Sequence, residues 1–297
     1  MTAPLPVPNP ASAASTHDPR PCHLGEGPLW HPERNQLFWF DILENRLRSS
    51  DASGPLEWGF PGHVSAAGWV DRDRLLVAGE TGLSLLDLDS GAVEPVAPLE
   101  ADDPATRSND GRADPWGGFW IGTMGKRAEP GAGAIYRFHR GEIRKLHPGI
   151  TIPNAICFSP DGGFAHFADT ARRTVWRQRL NPADGWPCGD PEPFLDLRPL
   201  GLNPDGAVID ADGRMWLALW GAGRVAVIPP QGGITEGPSF PAAHVSCPAF
   251  GGADLSTLFV TTAQEGLDLS DPAHAGAGMV YAAQVEAKGL PEPRVIL

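Results

Sequence analysis

Asn203-Pro-Asp-Gly-Ala-Val-Ile-Asp-Ala-Asp-Gly-Arg-Met-Trp-Leu-Ala-Leu-Trp220, NPDGAVIDADGRMWLALW, holds one complete structural statement. A polar opening (Asn203, Asp205) precedes a short apolar run. DADGR then makes a turn, since Asp and Gly suit tight turns. MWLALW follows, an apolar and aromatic run of strand length. The same statement recurs along the chain. The turns read HPERNQ, DRDR, DPWGG, SPDGG, DADGR and GGADLS, and the strands after them LFWFD, LLVAG, FWIGT, FAHFADT, MWLALW and LFVTT. Openings fall near Glu26, Ser65, Asp110, Asn154, Asp205 and Ser246, at spacings of 39, 45, 44, 51 and 41 residues. A period of about 40–50 residues with several strands per unit is the signature of a β-propeller. The sequence predicts an all-β, six-bladed β-propeller with three apolar strands per unit. Six consecutive matches argue against an ordinary β-sandwich. The longest spacing places NPADGWPCGDPEP (181–193) in a surface loop.

The ring occupies residues 21–297 as a single domain. Residues 1–20, opening MTAPLPVPNPASAAST, read as a flexible Pro/Ala-rich tail with no basic start or apolar stretch of a signal peptide, and some of them are candidates for a strand that closes the last blade. Composition agrees. Gly (36) and Pro (32) supply many turns, while ten Trp and twelve Phe among 41% hydrophobic residues require a core. The net charge of −13 argues against binding nucleic acid through its phosphates and favours attracting a cation. No run of about 18 apolar residues suggests a membrane span. Cys22, Cys157, Cys188 and Cys247 lack metal or disulfide spacing. The expectation is a cytoplasmic protein with a small-molecule partner, no nucleic acid and no membrane, monomeric with a dimer as the alternative.

In a propeller the innermost strands line a central channel, so polar residues at the openings converge. Here they are Glu26, Asn109 with Asp110, Asn154 and Asp205, all hard oxygen donors. Such a set suits Ca²⁺, Mg²⁺ or Mn²⁺, with Zn²⁺ also open. A single Asp or Asn is explained by its turn alone. The set, at one phase of several units, points to one divalent ion at a channel mouth, because clustered carboxylates need a compensating charge. His63 and His244, also at openings, read as structural. There is no G-x-S-x-G, H-E-x-x-H or nucleotide-binding glycine motif.

The chain resembles the SMP-30/gluconolactonase/regucalcin-like family of six-bladed propellers. LGEGPLW (24–30), RSNDGRADPWGGFWIGTM (107–124), IPNAICFSPDGGFAHFADT (152–170), NPDGAVIDADGRMWLALW (203–220) and PAFGGADLSTLFVTTA (248–263) carry the resemblance, in order, over nearly the whole chain. It implies a metal-dependent lactonase that opens a sugar acid lactone, an aldono-1,4- or 1,5-lactone such as glucono-, galactono-, xylono- or arabinonolactone. It implies Glu26, Asn154 and Asp205 as metal ligands, Asp205 also as the base, and Arg107, Asn109 and Asp110 as substrate contacts. One segment departs. Some members carry an acidic residue shortly after GTM that meets the substrate, whereas here Gly125, Lys126 and Arg127 follow, with Glu129 later. That leaves substrate preference open. The alternatives are a propeller hydrolase for other lactones, esters or organophosphates, and a non-catalytic calcium-binding propeller.

Overall fold

The computed structural model describes residues 14–297. Six four-stranded antiparallel sheets follow one another along the chain. The innermost strands are Gly25–His31, Val64–Asp71, Thr106–Ala113, Pro153–Phe158, Asn203–Ile209 and Val245–Gly251, one for each of blades one to six. Each of them packs on the inner strands of both neighbours, so the ring closes. A single blade leaves both sheet faces exposed; stacking radially buries them and protects the edges. The core is accordingly divided into six wedges, one between each pair of blades. Trp39, Trp120 and Trp216 are fully buried in three of the second strands. Truncating any one to Ala would cost about 3–5 kcal/mol.

Each blade has four strands where the sequence showed three. The outermost ones, such as Gly54–Gly59 and Val93–Pro98, are exposed or half-buried throughout, and Glu and Pro interrupt their apolar residues. A half-exposed strand leaves no apolar run to read. The sixth blade takes its outer strand from the other end of the chain: Ser15–Asp18 pairs antiparallel with Val280–Gln284. Part of the stretch expected to be a tail is therefore built into the ring; residues 1–13 lie outside the described residues. Arg20 secures this closure, pairing with Asp18 and donating to the carbonyls of Ser49 (2.7 Å) and Leu56 (3.3 Å) in blade one. The long loop after Thr174–Arg179 is present, with Trp186 stacked under the guanidinium groups of Arg137 and Arg144 at 4.4 and 4.2 Å. Among the described residues no helix is long and apolar enough to cross a membrane.

One irregularity repeats and positions the site. Every inner strand slips register against its neighbour near the opening: between Glu26 and Leu29, Val64 and Ala66, Ser108 and Gly111, Asn154 and Cys157, Pro204 and Ala207, and Val245 and Cys247. Such bulges re-aim side chains. They need little bulk behind them. A Cβ on Gly27, whose φ is +52°, would meet the Ser65 carbonyl at 2.3 Å, and one on Gly206 would meet Cys247 Sγ at 2.3 Å. The glycines of GEGP and PDG are thus set by the crowding of inner strands around the axis.

Candidate active site

The bulges and the second-strand ends share one face of the ring, because an antiparallel hairpin puts the start of its first strand beside the end of its second. Arg107 pairs with Met124, Asn154 with Ala168 and Asn203 with Trp220. Between them opens a cavity of about 1160 Å³. Glu26, Arg107, Asn109, Asn154 and Asp205 all line it. All five side chains are buried relative to bulk solvent.

A directed chain of hydrogen bonds holds the amides. Arg107 Nη1 donates to Asn109 Oδ1 (2.9 Å) and Asn109 Nδ2 donates to Asn154 Oδ1 (3.1 Å). Asn154 Nδ2 donates to Thr170 Oγ1 (2.8 Å), which donates to the Pro204 carbonyl (2.7 Å). The chain crosses blades three, four and five and ends beside Asp205. Each amide orientation follows from its neighbour, which fixes the cavity wall.

The carboxylates are treated differently. Among the described residues Glu26 accepts only the N–H of Gly27, at 3.3 Å. Burial, with the Asp110 charge, pushes its pKa up to about 8. Burial raises Asp205 well above the usual carboxylate range, helped by the charges of Glu26 and Asp110. Among the described residues neither acid has a cation at ion-pair distance. Burial lowers the Arg107 pKa, against the pull of Glu265 and Glu26. Two uncompensated buried carboxylates beside an amide oxygen are a donor set that fits a divalent cation with oxygen ligands. No three His, Cys, Asp or Glu side chains among the described residues are placed to hold a metal ion together, so a three-ligand site here would have to include the Asn154 amide.

The chain matches the model of the SMP-30/gluconolactonase/LRE-like region over residues 24–264. It belongs to this family. It is 35% identical over 281 residues to L-arabinolactonase of Azospirillum brasilense, with 91% of each chain covered. It is 32% identical to 6-deoxy-6-sulfogluconolactonase of Pseudomonas putida, covering 92% of this chain and 95% of the relative. Among solved structures, the calcium-binding protein regucalcin of Agrobacterium tumefaciens strain C58 superposes with a TM-score of 0.92 at 38% identity, covering 97% of this chain and 98% of that one.

Within this family's fold, Asp110 sits deeper than expected. It does not line the large cavity. Its Oδ2 accepts the Ile156 N–H at 2.7 Å, and it borders a small void below, with Arg112, Cys247 and Glu292. Burial raises its pKa to about 6. Adjacent strand residues face opposite ways, and the bulge gives the cavity to Asn109. Glu129 is also off the wall, paired with the exposed Arg127. Lys126 lines the cavity and pairs with Glu80. His63 stays structural, its Nδ1 against Asn45 Oδ1 at 2.7 Å, whereas His244 reaches the wall, stacked on Trp220 at 4.1 Å. One face of Trp220 is therefore taken.

Sequence reasoning missed Thr170, Arg173 and Glu265, which also line the cavity. All three follow second strands and not unit openings. The signal available was the hairpin itself: a mouth-facing opening implies a mouth-facing end of the next strand.

Proposed function

We propose that the protein is a metal-dependent lactonase that hydrolyses a sugar acid lactone to the free aldonic acid. The observation that carries this reading is the pair Glu26 and Asp205, buried without cations beside Asn154, on the floor of a cavity that Arg107 and Asn109 also line. The family and the lactonases among its relatives support the reaction class. Glu26, Asn154 and Asp205 would hold one divalent ion; Ca²⁺, Mg²⁺, Mn²⁺ and Zn²⁺ all accept such oxygen donors. When bound, it supplies positive charge that polarises the lactone carbonyl.

Asp205 is the base. Its carboxylate accepts a proton as water adds to the carbonyl carbon. The bond from that carbon to the ring oxygen then breaks, the proton passes to the released oxygen, and an open hydroxy acid leaves. Arg107 has Nε and Nη2 with no protein acceptor recorded among the described residues, since Nη1 serves Ser108 and Asn109. Those donors orient the sugar hydroxyls or ring oxygen. The Trp220–His244 stack forms an aromatic flank.

The test is proton release from a panel of pentono- and hexonolactones, before and after EDTA, with metals returned singly. Hydrolysis that chelation removes and one ion restores supports the reading. Hydrolysis that survives thorough chelation overturns the metal assignment, and no acceleration above the spontaneous rate with any ion overturns the lactonase.

A further inference from the structure

The chain is acidic overall, yet six cations line this one cavity: Arg107, Lys126, Arg127, Arg172, Arg173 and Arg198. Four are already matched. Lys126 pairs with Glu80, Arg127 with Glu129, Arg172 with Asp169 and Arg198 with Asp196. Arg107 and Arg173 have no carboxylate at ion-pair distance among the described residues. Arg107 belongs to the floor, with the amide chain. Arg173 stands apart, between blades four and five. Its Nε donates to Asn203 Oδ1 at 2.9 Å, and Asn203 Nδ2 in turn donates to the Trp220 carbonyl at 3.3 Å. The half-buried guanidinium is thereby held, with Nη1 and Nη2 left without an acceptor among the described residues.

A neutral sugar ring explains neither this nor the size of the space. Ligand pockets commonly run about 300–1,000 Å³, and this one, at about 1160 Å³, exceeds what one small ring needs. The spare cation follows the second strand of blade four, where the nearby Asp196 is taken by Arg198, while Glu265, the other acid of the rim, belongs to blade six. A lactone whose carbonyl lies at the floor directs its far end toward the wall.

We propose that Arg173 reads an oxyanion, such as a carboxylate, sulfonate or phosphate, carried by the substrate at the end remote from the lactone carbonyl. A planar guanidinium held through Nε presents two parallel donors to such a group. This rests on the lactonase reading and names its substrate class.

The experiment compares kcat/KM for glucono-1,5-lactone with that for its 6-phosphate, its 6-sulfonate and the corresponding 6-carboxylate lactone, in wild type, Arg173→Gln, Arg173→Lys and Arg198→Gln. At least one anionic substrate should exceed the neutral one tenfold or more, and the arm that does so identifies the anion. Arg173→Gln should lower that ratio at least tenfold, mainly through KM. Arg173→Lys, which keeps the charge and loses the fork, should recover part of it. Arg198→Gln removes a charge that Asp196 already matches and should shift the ratio less than twofold. A ratio does not depend on the fraction of each variant that folds. A wild-type ratio below three, or equal shifts in Arg173→Gln and Arg198→Gln, overturns the inference while turnover of the neutral lactone leaves the lactonase standing. No turnover of any of the four overturns both.

Discussion

The two ends of the channel treat the acids at the ends of the inner strands in opposite ways. At the lower end, where the inner strands finish, buried acids are matched. Asp114 Oδ2 accepts from Arg137 Nε at 2.6 Å. Asp210 Oδ2 accepts from Arg214 Nε at 2.7 Å and from Trp216 Nε1 at 2.9 Å. The C-terminal segment crosses this end, with Gly289 bonded to Leu255 in blade six, Val295 to Trp69 in blade two and Ile296 to Gly117 in blade three. From it Glu292 pairs with Arg112, whose other donors reach the Ile156 and Ala207 carbonyls. At the upper end Glu26 and Asp205 have no such partner. The fold can place an arginine against an interior carboxylate and does so repeatedly. Two left unmatched at one mouth are what the proposed divalent ion would compensate.

The contrast predicts opposite outcomes for removing an acid at each end. The largest effect is at the upper one. Asp205→Asn should lower kcat/KM for the lactone roughly 10⁴-fold, about 5 kcal/mol in the barrier. The same change should raise the unfolding temperature of the chelated protein, because it removes a repulsive buried charge. Lactone turnover and thermal unfolding in EDTA read the two effects. A lower unfolding temperature would mean that Asp205 makes a stabilising contact, and the contrast between the ends would fail. At the lower end, Glu292→Gln should cost about 3 kcal/mol of stability by leaving Arg112 buried without its counter-charge. Urea unfolding measures that loss. The KM of the folded enzyme should stay within about twofold, since Glu292 touches nothing in the large cavity.

The same contrast explains what could be read in the sequence. Glu26, Asn109, Asn154 and Asp205 were legible because each unit repeats one polar opening at one phase, and a propeller makes that phase converge. Three of those openings carry a glycine just after the acid, at Gly27, Gly111 and Gly206; the exception is Ala155, which takes a φ of +54°. The depth of Asp110 was not legible. Periodicity places it next to Asn109, and only the bulge decides which of the two faces the cavity. Arg173 and Glu265 lie in loops after second strands, where nothing repeats. The outer strands escaped because they bury no continuous face. The C-terminal seal escaped for another reason: Glu292 acquires meaning only when the ring brings Arg112 beneath it.

The smallest effect tests a buried group at the lower end that lacks a charged partner. His166 is buried in a hollow between blades four and five, against the ring of Phe194 at 4.9 Å, and its Nδ1 has no partner. Arg177, Asp161 and Asp212 line the same hollow. Burial, reinforced by Arg177, lowers its pKa to about 4. The unfolded chain takes up a proton near 6.5, which the folded protein refuses until about 4. The stability that neutral His166 contributes is therefore complete above about pH 6.5. It declines as the pH falls toward 4, by up to about 1.4 kcal/mol per unit. Comparing Arg- and Asp-lined surroundings in one measurement, the destabilisation caused by His166→Gln should be about 2 kcal/mol smaller at pH 5 than at pH 7. Urea unfolding of both proteins at the two pH values isolates the difference from other titrating acids. A cost that does not change with pH would mean that the folded ring titrates as the unfolded one does, and a cost larger at pH 5 would mean that Asp161 or Asp212 keeps it charged. In the second case His166 would join the matched charges of the lower end, and the contrast with the unpaired acids of the upper mouth would sharpen.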